Sequence, residues 1–204
     1  MNLLSNSRKV LRHPLDFFHD IQLQGRAKWS HAVILLLLMV CVHLLKLSWT
    51  GYSFEGREAY QISFVFESFW IIVPWITWCV SNWAVSAIMD GEGKFKDIVV
   101  SSAYALVPYI VLSLPLALLS QILTQGEYYT YWGLIYFINA WVMFLFLVKV
   151  KTLHDFELGK MLWIIVLTIV GMLVIWFVGF LIFGLVNQAI EFVIGVVKEI
   201  QFRL

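Results

Sequence analysis

Five long runs of this chain contain no Asp, Glu, Lys or Arg: Trp29 to Leu45, Ser68 to Met89, Ile98 to Gly126, Tyr128 to Val148 and Met161 to Ile190. About 20 mostly apolar residues, rising ~1.5 Å each in a helix, cross a hydrocarbon layer of roughly 30 Å. Each run is therefore a candidate span. The first is the shortest, but Lys46, which closes it, can extend its aliphatic stem until the ammonium reaches the headgroups. The runs are continuously apolar and lack the alternation that a barrel strand needs. The pattern predicts an all-α polytopic membrane helix bundle, with spans at about 31–49, 66–89, 98–123, 132–150 and 161–183.

Two flanking segments carry a weaker, one-sided pattern. From Pro14 to Gln24 the apolar Leu15, Phe18 and Ile21 share a side, Pro14 suits a first helical turn, and Asp16 favours the positive helix end. This reads as a short interfacial helix within a cytoplasmic segment 1–30, with Arg26 and Lys28 placed for anionic headgroups at ~1 kcal/mol each. At the other end, Asn187, Gln188, Glu191, Lys198 and Glu199 face away from Ala189, Val193, Val196, Val197 and Ile200. Residues 187–204 thus form an amphipathic helix that either lies in the interface or continues the fifth span and packs on the bundle. The membrane domain between them is 31–186.

Composition agrees with this solvent. Of 204 residues 61% are hydrophobic and only 13% charged, where soluble domains carry about a quarter. Lys and Arg counted over alternate loops fall ten to one side (Arg8, Lys9, Arg12, Arg26, Lys28, Lys94, Lys96, Lys149, Lys151, Lys160) and four to the other (Lys46, Arg57, Lys198, Arg203). The excess predicts a cytoplasmic N-terminus and, after five spans, an outer C-terminus. No small-residue cleavage site closes the first run, so it is expected to act as an uncleaved insertion signal. Trp49, Tyr52, Tyr128, Tyr129, Tyr131 and Trp132 gather at the expected outer boundary as an aromatic belt. A net charge of +1 leaves no basic face for nucleic acid.

Candidate chemistry changes little. Gly91-Glu92-Gly93-Lys94 is followed by Phe95, whereas a phosphate loop needs Lys then Ser or Thr after a strand, so it reads as a helix-connecting turn. Asp90-Gly91 lacks the later paired aspartates of phosphoalcohol transferases. No Gly-x-Ser-x-Gly or His-Glu-x-x-His run supports intramembrane proteolysis. The five histidines read as surface or interface residues, and Cys41 and Cys79 as apolar filler inside spans. Glu67 and Lys46 flank spans, either paired or reaching water. Asn82 and Asn139 are the strongly polar span residues, with helix–helix hydrogen bonding as their default. Pro74, Pro108 and Pro115 permit kinks in the second and third spans. Gly171, Gly179 and Gly184 are not four apart and define no dimerisation motif. No catalytic, cofactor or metal residues are expected.

The Pro14, Asp16, Phe17 and Phe18 segment before the first span, the turn Gly91-Glu92-Gly93-Lys94-Phe95-Lys96, and Ser102-Ala103-Tyr104-Ala105-Leu106-Val107-Pro108 together resemble the YIP family of Ypt/Rab-interacting five-span membrane proteins, most closely its bacterial members. The resemblance covers about residues 10–190. It implies five spans, a cytoplasmic N-terminus, no enzymatic activity, and function through other integral membrane proteins, in bacterial relatives an ABC-type transporter. Phe17, Phe18, Lys94, Phe95, Tyr104 and Pro108 are then the partner-docking candidates, on a non-enzymatic accessory or scaffold protein of the plasma membrane. The competing expectation is a small permease with a path along the proline-kinked second and third spans, using Asn82 or Asn139. A membrane enzyme ranks third.

Overall fold

The computed structural model describes residues 3–24, 28–51, 54, 59–89, 91, 93–154 and 157–203. Arg26, Tyr52, Arg57, Asp90, Glu92 and Leu204 lie outside the described residues. The described chain is helical: α1 (Leu3–Arg12), α2 (Pro14–Gln24), α3 (Trp29–Trp49), α4 (Phe64–Ile88), α5 (Phe95–Ala105), α6 (Val107–Ser120), α7 (Tyr128–His154) and α8 (Leu158–Arg203), with 3-10 turns at Ala59–Gln61 and Gln125–Glu127. Five stretches are long and apolar enough to cross a membrane: α3, α4, α5 with α6, α7 with its preceding turn, and α8. The chain is an all-α protein with about five candidate membrane-spanning helices.

The third stretch is broken. Pro108 has no N–H to continue the helical ladder, and its ring disfavours a helical approach. At Leu106 the chain tightens instead: the Leu106 N–H reaches Ala103 O and Tyr104 O, and a new helix starts at Val107. The break frees α5 to sink into the centre. Every residue from Asp97 to Ala105 is buried, and α3, α4 and α7 all pack on this helix. Its Ser101, Ser102, Ala103 and Ala105 are small, which lets neighbouring backbones come close where apolar burial supplies no drive between helices.

Around this hub α3 pairs with α6, α6 with α7, and α4 with α8. The α4–α8 seam shows how the sequence selects it. Ser81 Oγ donates to Thr168 O at 2.7 Å, Asn82 Nδ2 to Thr168 Oγ1 at 3.3 Å, and Trp176 Nε1 to Thr77 Oγ1 at 3.1 Å. Gly171 lies so close to the Ser81 hydroxyl that a Cβ there would displace it. Such bonds average about 0.6 kcal/mol each inside a bilayer, so the seam needs several.

Two elements differ from the sequence expectation. The helix before the first span is preceded by a second one, α1, and the apolar side of α2 is taken up by protein rather than left for lipid. Phe17, Phe18 and Ile21 are buried with Val10 of α1 against α5 and α7, while Leu15 and Leu23 remain exposed. At the other end, α8 is one helix of 46 residues, about 69 Å long at 1.5 Å per residue. No proline interrupts it. Its only buried residues are Met161, Ile164 and Thr168. The amphipathic tail is therefore continuous with the fifth span and does not pack on the bundle.

Gly171→Leu should push α4 and α8 apart and lower stability by ~2 kcal/mol, the usual scale of overpacking, whereas Gly179→Leu should be neutral. Thermal unfolding of both variants in one detergent, followed by circular dichroism, measures the difference.

Candidate functional site

Buried Asn6, Asp97, Ser101, Ser102, Lys149 and His154 gather at one end of the bundle, where α1 and α2 meet the start of α3, all of α5 and the end of α7. Tyr104, fully buried on α5, is the centre of one chain of contacts. Asn6 Nδ2 of α1 donates to its hydroxyl at 3.1 Å, and the hydroxyl lies 2.8 Å from His31 Nδ1 of α3. An arrangement in which the hydroxyl accepts from Asn6 and donates to His31 uses each group once. The Phe17 ring meets the Tyr104 ring edge-on at 4.8 Å, and Lys9 pairs with Asp20 between α1 and α2. Tyr104 thus ties the N-terminal helices to the membrane bundle.

One helical face away, Lys149 of α7 donates to Ser102 Oγ, which itself donates to Ile98 O at 2.6 Å. Lys149 is 1% exposed, with its ammonium over the rings of Phe146 (5.2 Å) and Trp78 (5.7 Å). A desolvated cation–π contact offsets ~2 kcal/mol or more of such burial. The sequence places Lys149 in a cytoplasmic loop because it ends an uncharged run. In the structure it is interior, since α7 continues helical to His154 and turns that face onto α5. His154 accepts from the Gly93 N–H through Nδ1 at 3.2 Å, and its ring lies where a Gly93 side chain would stand. This fastens the turn before α5 to the end of α7.

The docking candidates divide accordingly. Phe17, Phe18, Tyr104 and Pro108 are buried and pack the chain's own interior. Lys94 and Phe95 are exposed. Phe95 stands between Trp83 of α4 (5.6 Å) and Trp29 of α3 (6.1 Å), both about half-exposed, so three elements contribute to one aromatic edge. Lys28 is exposed beside Trp29; Arg26 is outside the described residues.

At the opposite end His43 joins α3, α4 and α6. Its Nε2 is 3.2 Å from Glu67 Oε2 and its Nδ1 is 2.9 Å from the Tyr109 hydroxyl. A carboxylate only accepts, so Nε2 carries a proton, and in the neutral ring Nδ1 accepts from the Tyr109 hydroxyl. Glu67 is thus met by His43, while Lys46 sits over the Tyr109 ring at 5.6 Å. Three histidines expected at surfaces or interfaces link helices, His154 from a buried position and His31 and His43 from partly buried ones; His31 and His43 lie within an apolar run, and His154 follows Leu153 on the face that carries Lys149 and Val150. Among the described residues, no group of three or more His, Cys, Asp or Glu is placed to hold a metal.

A family model, the Yip1 domain, matches residues 8–189. The chain belongs to the Yip1 domain family. No curated protein and no solved structure matches it. The Yip1 match begins inside α1 and ends in the distal part of α8, so it takes in the Tyr104 network, the Ser102–Lys149 contact and the Trp29–Phe95–Trp83 edge. This Yip1 protein is an integral membrane protein whose buried polar groups join helices to one another.

Tyr104→Phe should leave Asn6 and His31 without their shared partner and cost ~1–3 kcal/mol, the penalty for stranded buried polar groups. Limited proteolysis of the purified protein should then cut the N-terminal helices faster than in the native protein, with cleavage sites read by mass spectrometry.

Proposed function

We propose that this Yip1 protein is a non-enzymatic accessory subunit of the plasma membrane that works by binding other integral membrane proteins, an ABC-type transporter among them. The observation that carries this is Asn139. It lies midway along α7 on an exposed face with no hydrogen-bond partner among the described residues. An amide facing hydrocarbon is costly, and a helix of another protein that supplies a donor or acceptor removes that cost. Exposed Tyr136, Phe137 and Met143 surround it as packing surface.

The second contact lies at the end carrying α1 and α2, which the charge excess assigns to the cytoplasm. There Lys94, Phe95 and Lys28, with Trp29 and Trp83, offer aromatic area and positive charge to a partner's membrane-proximal segment. In this reading the N-terminus is cytoplasmic, the distal end of α8 is outside, and the organism is bacterial. Phe17, Phe18, Tyr104 and Pro108 serve docking indirectly, by holding that edge in shape.

The permease reading gains no support from the residues chosen for it. Asn82 is buried against Thr168 in the α4–α8 seam and Asn139 faces outward from α7, so the two do not line one path.

Crosslinking in native membranes, followed by affinity isolation and mass spectrometry, tests the proposal. Near-stoichiometric recovery of ABC-type transporter subunits is the expected result, falling roughly three- to tenfold for Asn139→Leu and for Phe95→Ala, as loss of ~1 kcal/mol per contact implies. Recovery of the chain alone, or of the same complex from both variants, would refute it.

A further inference from the structure

The distal part of α8 carries an apolar stripe that the rest of the described chain leaves uncovered. Phe183, Val186, Ile190, Val193, Val197 and Ile200 follow one another at alternating intervals of three and four residues, and each is between 47% and 63% exposed. The register starts inside the bundle, where Ile165, Ile169 and Met172 line the groove against α4 and Trp176 meets Trp70 and Thr77. It then runs on past Trp176 to the end of the helix without a change of phase.

Lipid does not cover this stripe. A helix crossing a core of roughly 30 Å leaves the hydrocarbon after about 20 residues when upright and about 26 when tilted by about 40°. Counted from Met161, where the uncharged run begins, Ile190, Val193, Val197 and Ile200 lie beyond that layer at either tilt. α8 is one unbroken helix to Arg203, and a helix curves too gently, with a radius of ~60–100 Å, to swing these residues flat onto the membrane surface. Glu191, Lys198 and Glu199 stand on the far side of the helix, and Arg203, at the flank of the stripe, pairs with Glu199. The charges face water and leave the apolar line clear.

An average interval of 3.5 residues is the repeat at which helices wind round one another, each core side chain entering a hole on its neighbour. The bilayer decides whose helix answers it. Copies of this chain cross with one orientation and one depth, so their α8 helices run parallel and bring Val193 to Val193 and Val197 to Val197 at one height. A helix of another protein would have to carry the same repeat at the same height. We propose that copies of this chain assemble through residues 183–200 of α8 as a parallel coiled coil of more than two strands. The strand number follows from β-branched side chains at both core positions, Ile190 and Val197 at one and Val186, Val193 and Ile200 at the other, which favour about three or four helices over two. Ala189, Ile194 and Val196 flank the stripe and widen the face, as a helix with two neighbours requires. This contact lies on a different helix from Asn139 and from Phe95.

The test uses the full chain in native membranes, with Cys41→Ala removing the exposed native thiol. Ile190→Cys, Val193→Cys and Val197→Cys should each form intermolecular disulfides in several-fold higher yield than Glu191→Cys, Gly195→Cys and Lys198→Cys. Only the core positions of a parallel, in-register seam bring equivalent Cα atoms within the roughly 4.4–6.8 Å that a disulfide spans. Native mass spectrometry of the protein released in mild detergent should show about three or four copies together. Val193→Arg, which sets like charges against one another in the seam, should reduce this to single copies, and Glu191→Arg should leave it unchanged. None of the substituted positions is buried, so every variant keeps its fold. Equal disulfide yields at all six positions, higher yields at Glu191 and Lys198, a mass of one or two copies for the unaltered protein, or a different protein joined at Val193→Cys in place of a copy would each overturn the assignment.

Discussion

Hydrocarbon offers no hydrophobic drive for one apolar helix to leave it for another, so this bundle depends on polar side chains set between spans and on small residues that let them meet. Three junctions between helices carry such groups. Thr168 answers Ser81 and Asn82 between α4 and α8, His43 answers Glu67 and Tyr109 among α3, α4 and α6, and Tyr104 answers His31 and Asn6 among α5, α3 and α1. Each bond is weak by itself. Their placement nevertheless decides which faces of otherwise similar apolar cylinders turn inward.

The break at Leu106 gives that scheme its centre. A straight third span would have to run alongside its neighbours for its whole length. Cut into two pieces, it commits α5 to the interior at one end, while α6 packs between α3 and α7 at the other. Tyr104 and Lys149 both depend on α5 being inside. Tyr104 is a residue of α5 itself, and Lys149 reaches it through Ser102, two residues earlier. The N-terminal helices then dock on a surface that the break has created, through Phe17 against Tyr104.

The five apolar stretches were legible because span length and charge-free runs are properties of the chain alone. Depth within the bundle was not. Lys149 and Asn139 show the two ways in which linear reading fails. Lys149 ends an uncharged run and looks like a loop boundary, yet the face it shares with Leu145 and Leu153 turns onto α5 and seals it. Asn139 sits inside a run and looks like a helix–helix bond, yet its face points outward. Which side of a nearly uniform apolar helix turns inward is set by neighbours distant in sequence, such as Ser102 for Lys149 and Thr168 for Asn82. Phe17 and Phe18 failed for a related reason: an amphipathic helix beside a membrane looks the same whether protein or lipid covers its apolar side. Lys94 and Phe95 were easier, since a polar turn between two spans has few ways to be buried.

The length of α8 has a mechanical consequence. The helix is gripped by α4 only over the stretch from Met161 to Trp176, and 27 residues, or about 40 Å, extend beyond that grip as a single rod. A rod clamped near one end works as a lever. A sideways load at the far end becomes torque at the Ser81–Thr168–Gly171 fulcrum, and α4 is the element that would rotate in response.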